Sequence, residues 1–192
     1  MRNLKLWTAN DSTMTEKSVQ LMLSHYCWIH SQRIRLPNSS VFGWESDMVG
    51  VTKARISHEY EIKLSFSDFR ADRKKKRHDH IERFVKGERE IVERIAWGEY
   101  KQEIYPPANY FWYVVSAEIA KKAKPELPLY AGLIVVSDRL EISKAAPKLH
   151  RERLTDKQVW QILGSACGRF WSARRILTEH KIPFTDKEEN AK

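Results

Sequence analysis

Glu45-Ser46-Asp47-Met48-Val49-Gly50, followed by Glu61-Ile62-Lys63-Leu64-Ser65, is the stretch from which the fold is read. As two strands joined by a turn, it sets Asp47 on one strand and Glu61 with Lys63 on the next, where alternate side chains share one face of a sheet. Two carboxylates and an ammonium then converge. His58 to Leu64 alternates, with 59, 61 and 63 polar and 60, 62 and 64 apolar, the pattern of a half-exposed strand. On the preceding strand, Trp44 to Val51, Glu45 and Asp47 point one way, and Trp44 and Met48 the other. Carboxylates crowded on one face are costly unless something positive neutralises them, and a divalent cation is a natural candidate. Glu45 also reads as an exposed charge at the strand start. Gly50 is expected to weaken the strand end and permit a bend.

Upstream, Val19, Met22, Leu23, Tyr26 and Cys27 recur at helical spacing, and Thr13-x-x-Glu16 fits a capping box, so a first helix is predicted over about 13 to 30. Arg33 to Phe42 reads as a short strand and a turn containing Pro37-Asn38-Ser39-Ser40. Downstream, Arg70, Arg73, Lys74, Lys75, Lys76 and Arg77 form a dense cationic block at the start of a helix predicted to run towards Trp97. Such a block reads either as a solvated helix face or as a set of phosphate contacts that position a nucleic acid. His78-Asp79-His80 carries little as a metal motif, because residues two apart point different ways on a helix. Tyr105-Pro106-Pro107 stops that helix. The apolar runs Tyr110 to Val115 and Leu133 to Val136 read as buried central strands, with a helix over 117 to 124 between them. Arg139 to Ser143 is a plausible last strand, and Thr155 to His180 the final helix, started by Thr155-Asp156 and carrying Val159, Trp160, Leu163, Phe170, Ile176 and Leu177. Its Arg169, Arg174 and Arg175 either extend a cationic surface or keep the helix soluble.

Asp47, thirteen intervening residues and then Glu61-x-Lys63, with a helix before and a basic segment after, resembles the PD-(D/E)xK superfamily of metal-dependent nucleases. Ser46 stands where that motif has proline. The similarity spans roughly residues 14 to 150. The resemblance implies an α/β (α+β) fold in which a central mixed β-sheet is flanked by helices in an αβββαβ core. It also implies a catalytic trio of Asp47, Glu61 and Lys63. Mg²⁺, with Mn²⁺ as a substitute, would be held by Asp47, Glu61 and the backbone carbonyl of Ile62. Glu16 has two readings: a cap partner of Thr13, or a first-helix glutamate reaching the metal, as in many members of the superfamily. Lys63 would orient the attacking water, stabilise developing charge or act as base.

At 192 residues, one domain over 1–184 is expected, with a disordered polar tail over 185–192. The 34 Lys and Arg against 25 Asp and Glu leave a net charge of +9, which favours a polyanionic partner, DNA first. Cys27 and Cys167 have no metal-ligand spacing and read as packing residues of a reduced, cytoplasmic protein. No apolar run approaches the roughly 20 residues of a membrane span. The leading expectation is therefore a DNA endonuclease. The alternatives are a non-cleaving nucleic-acid-binding protein of the same fold, and a structural or inhibitory protein whose basic surface meets an acidic protein. Oligomeric state stays open, a homodimer included.

Overall fold

The structure, a computed structural model, describes residues 14–87 and 106–180. The chain divides into two compact units, with the break between Leu154 and Thr155. The tail over 185–192 and the predicted helix beyond residue 87 lie outside the described residues.

The first unit is built on a six-stranded sheet whose spatial order follows the chain, β1-β2-β3-β4-β5-β6. β1 (Gln32–Ser39), β2 (Ser46–Thr52) and β3 (Ser57–Lys63) form an antiparallel meander. β4 (Tyr110–Ser116) and β5 (Ala131–Val136) then run parallel to β3, and β6 (Leu140–Lys144) returns antiparallel. α1 (Glu16–Ile29) precedes the meander, and α2 (Phe66–Asp72) and α3 (Lys76–Val85) lie in the crossover from β3 to β4. The mixed sheet flanked by helices is the fold class expected, and the order α1, β1, β2, β3, α2–α3, β4 is an αβββαβ core.

Alternation along the central strands divides the core between the two faces. Val19, Leu23 and Cys27, four apart on α1, are buried against Met48, Tyr60, Ile62, Trp112 and Val114 on one face. On the other, Phe69 of α2, Ile81 of α3 and Ile119 of α4 (Ala117–Ala123) pack on Phe111, Tyr113, Val115 and Leu133. β3 thus presents Tyr60 and Ile62 towards α1, and its odd-numbered side chains towards the crossover helices.

Several local expectations are corrected. α1 is capped by Thr15, whose hydroxyl accepts from Ser18 N while the Ser18 hydroxyl accepts from Thr15 N, so Glu16 is free of the capping role suggested by Thr13-x-x-Glu16. β1 runs through Pro37 to Ser39, which an edge strand tolerates because the missing N–H need not face a partner. Gly50 lies inside β2, where a Cβ would sit 1.7 Å from Oε1 of Gln32, a buried side chain held by hydrogen bonds with the Tyr60 hydroxyl. β3 is buried on both faces, with Glu59 0% and Glu61 1% exposed. The polar half of its alternation faces the crossover helices, not solvent.

In the second unit, α5 (Asp156–Glu179) carries a capping box formed by Thr155 and Gln158. Trp160, Phe170 and Ile176 on this helix are exposed, and so is Cys167, which the sequence reading takes as a packing residue. Arg174 lies over the Trp171 ring and Arg175 pairs with Glu179 at 3.7 Å.

Candidate functional site

The antiparallel ladder between β2 and β3 ends at the pair Met48–Tyr60, leaving Asp47 one residue beyond it beside Glu61 and Ile62. Ile62 N donates to Asp47 Oδ2 at 2.6 Å. Glu61 and Lys63, two apart on β3, share a face, and Lys63 Nζ donates to Glu61 Oε1 at 2.6 Å. The same ammonium lies 4.0 Å from Asp47 Oδ2 and 3.6 Å from Asp72 Oδ1. Asp47, Glu61 and Lys63 are therefore brought together at one end of the sheet.

Glu16 stands in the first turn of α1, and the Gln20 amide nitrogen ties it to this end. That nitrogen lies 3.2 Å from Glu16 Oε1, 2.7 Å from Asn38 Oδ1 and 3.0 Å from the Asp47 carbonyl. Glu16 is close enough to act on Asp47 through its charge. Burial pushes the Asp47 carboxyl up to about 6, and the charges of Glu61 and Glu16 add to that push, against the Ile62 N–H and Lys63. For Lys63, burial opposes the charged form, but Glu61, Asp72 and Asp47 outweigh it and hold the ammonium above its ordinary pKa. A lysine so held is a donor and a fixed positive charge, not a proton acceptor near neutral pH.

The cationic block divides sharply. Arg70, Arg73, Lys74, Lys75 and Lys76 are exposed. Arg70 lies 3.4 Å from Glu126, Arg73 donates to the Glu126 carbonyl, and Ser67, Arg70, Arg73 and Lys74 line a shallow cleft with Glu126. Lys75 folds back to Asp72 Oδ1 at 2.8 Å and to Glu61 Oε1 at 3.7 Å. Arg77 departs from the expectation of a nucleic-acid-facing residue: it is 4% exposed. Its Nη1 donates to Glu61 Oε2 at 2.8 Å and its Nη2 reaches Glu61 Oε1 at 2.6 Å, while it also binds Asp72 Oδ1. A guanidinium drawn into a nest of carboxylates is removed from any phosphate outside.

Asp72 is the hub that sequence reasoning missed. Burial opposes its ionisation, yet His78, Arg77 and Lys75 together hold its carboxyl well below the usual range. Its Oδ2 lies 2.9 Å from His78 Nε2 and accepts from the Tyr113 hydroxyl at 2.9 Å. His78 Nδ1 in turn meets the Tyr130 hydroxyl at 2.6 Å, so this histidine belongs to a buried polar network and not to a metal motif. Glu59 is buried beside these groups, accepting from Trp44 Nε1 and the Ser46 hydroxyl at Oε1, with no hydrogen-bond partner at Oε2. Burial raises it to about 7 despite Arg77. The signal available in the sequence was the polar half of β3, which demanded buried partners once both faces were covered.

Among the described residues no group of three or more His, Cys, Asp and Glu side chains is disposed to hold a metal ion. What a cation would meet here is a two-carboxylate set, Asp47 and Glu61, which suits Mg²⁺, an ion commonly held by one or two carboxylates and otherwise by water and substrate phosphate. The donor chemistry fits at Asp47, where the charges of Glu61 and Glu16 together outrank that of Lys63 and a cation would relieve them. The two carboxylates are unequally free, because both Glu61 oxygens already receive the Arg77 fork.

No family model matches the chain, and no curated protein matches it. Among solved structures the chain is similar to SPO1766, a protein of unknown function from Silicibacter pomeroyi, with 15% identity and a TM-score of 0.55 over 94% of this chain and 98% of that one. The likeness supports the α/β architecture and says nothing of activity. No helix among the described residues is long and apolar enough to cross a membrane.

Proposed function

We propose that this chain is a divalent-metal-dependent nuclease that hydrolyses DNA phosphodiester bonds, acting as an endonuclease at the Asp47–Glu61–Lys63 end of the sheet. The observation that carries the reading is the meeting of a carboxyl raised to about 6, a second carboxylate and a charged ammonium, with Lys63 Nζ 2.6 Å from Glu61 and 4.0 Å from Asp47. Asp47 and Glu61 would hold Mg²⁺, or Mn²⁺ in its place, with the Ile62 carbonyl as a further oxygen donor and Glu16 acting through water. The ion when bound would supply Lewis-acid charge at the scissile phosphate and acidify the attacking water. Lys63, kept protonated by its carboxylate neighbours, orients that water and offsets the negative charge that grows on the phosphate oxygens. The exposed Arg70, Arg73, Lys74, Lys75 and Lys76 position the polyanion by contacts that carry affinity without sequence information. The cytoplasm, where thiols stay reduced, suits the free Cys27 and Cys167.

A second reading, a nucleic-acid-binding protein that does not cleave, is favoured by one observation: Arg77 and Lys63 already satisfy Glu61, as in a purely structural network. Asp47→Asn separates the two. Under the nuclease reading the variant loses cleavage by at least about a hundredfold while its gel-shift affinity for the same DNA is kept or improved, since an anion near the phosphate has been removed. A folded wild type that shifts DNA in a salt-dependent way but cleaves it under no divalent condition would establish the second reading instead.

A further inference from the structure

We propose that Arg77 is a resident counter-ion of Glu61 that competes with a divalent cation for that carboxylate, so that the site fills with metal only as the guanidinium fork lets go. This inference rests on the metal-dependent reading above and deepens it.

The geometry of Glu61 carries the argument. Its Oε1 is shared by Lys63 at 2.6 Å, Arg77 Nη2 at 2.6 Å and Lys75 at 3.7 Å, whereas its Oε2 receives Arg77 Nη1 at 2.8 Å. The oxygen not crowded by lysines is thus the one the fork closes. Mg²⁺ binds carboxylate oxygen at about 2.0–2.1 Å, so an ion on Oε2 and a guanidinium nitrogen on the same atom would stand only a few ångströms apart, two like charges in a buried place. One must yield. Arg77 has somewhere to go: it also binds Asp72, and its Nη1 lies 3.4 Å from the Glu45 carbonyl, so it can keep a carboxylate partner after losing Glu61. Its position supports a role beyond filling space. Arg77 stands at the start of α3, directly after the exposed Lys74–Lys76 segment that the nuclease reading assigns to phosphate contacts. Phosphate drawing on Lys75 and Lys76 would pull on the turn that carries Arg77, which makes metal uptake at Glu61 dependent on the polyanion.

The test is Mn²⁺ binding to the full chain, without nucleic acid, followed by the free-ion paramagnetic resonance signal. Wild type is compared with Arg77→Met and Arg77→Lys, each also combined with Asp47→Asn. Arg77→Met should bind Mn²⁺ at least about tenfold more tightly than wild type, an easing of one unit charge at the ligand oxygen. Arg77→Lys, which keeps a buried charge but cannot close both oxygens at once, should fall between them and decides the matter if Arg77→Met does not fold. Asp47→Asn should abolish binding in every background. If wild type binds Mn²⁺ through Asp47 as tightly as folded Arg77→Lys and Arg77→Met, the competition is refuted while the metal site stands. If neither wild type nor any folded Arg77 variant binds Mn²⁺ in an Asp47-dependent way, the metal-site reading falls and the inference with it.

Discussion

Trp112 donates its indole N–H to His58 Nδ1 at 3.2 Å, a bond that only an unprotonated Nδ1 can accept, while the His58 ring stacks on Tyr110 with centroids 4.7 Å apart. Burial, with a smaller push from His30, lowers His58 from its ordinary 6.5 to about 4. The folded state therefore prefers the neutral imidazole, and between those two values the unfolded chain binds the proton first. The contribution of His58 is fully present above its unfolded pKa and is lost as pH falls from about 6.5 to about 4, with a size of about 1–3 kcal/mol. Asp47 and Glu59, raised to about 6 and about 7, act with the opposite sign, so net stability is a poor gauge of any one of them. A proton NMR titration of the His58 ring isolates it: a midpoint near 4 is expected, and one near 6.5 would show an imidazole open to solvent. At this scale the sequence was legible for Asp47, Glu61 and Lys63, because strand periodicity fixes which side chains share a face. It was not legible for Arg77, Asp72 and His78. A run of six cations within eight residues looks solvated by composition, and only the folded chain, with Ile81 of α3 packed in the core beside Phe111 and Tyr113, decides that one of them turns inward to meet buried carboxylates.

Elements were read well where periodicity was strong. The buried runs at β4 and β5 fall close to their expected bounds, because continuous apolar runs are hard to satisfy otherwise, and α5 begins where Thr155 offers a cap. The edge strand β1 was read short, since proline argues against strand only where an N–H must face a partner. Two glycines give predictions of opposite sign. A Cβ at Gly132, on β5, would lie 2.5 Å from the Trp112 ring and 2.7 Å from the Ala146 backbone nitrogen, neither a flexible side-chain end that could swing away. Gly132→Ala should therefore cost about 1–3 kcal/mol by overpacking. At Gly164, within α5, a Cβ would meet nothing, and Gly164→Ala should stabilise the helix by about 0.5–1 kcal/mol through helix propensity alone. Urea melts of the two variants check both; equal effects would contradict the packing described at β5.

For the whole molecule, a net charge of +9 is a statement about partners and not about fold. If the exposed block is a phosphate track, Lys74 and Lys76, which make no ion pair among the described residues, are its most available members. Replacing both with Ala should weaken binding to unrelated DNA sequences about equally and flatten the dependence of log affinity on log salt by about 1–2. An unchanged slope, measured by fluorescence anisotropy across a salt series, would move the interface elsewhere. The sequence made this surface visible through composition alone, but composition could not separate the cations that face outward from Arg77, which the fold withdraws.

The most direct measurement incubates the full chain with supercoiled plasmid in Mg²⁺, in Mn²⁺ and in EDTA, alongside Lys63→Ala checked for fold by circular dichroism. Nicking or linearisation that needs the divalent ion and drops by at least about a hundredfold in the folded variant is the predicted result. Cleavage that persists in EDTA or survives in Lys63→Ala would contradict the assignment of this site, and the absence of cleavage in both metals would contradict the nuclease itself.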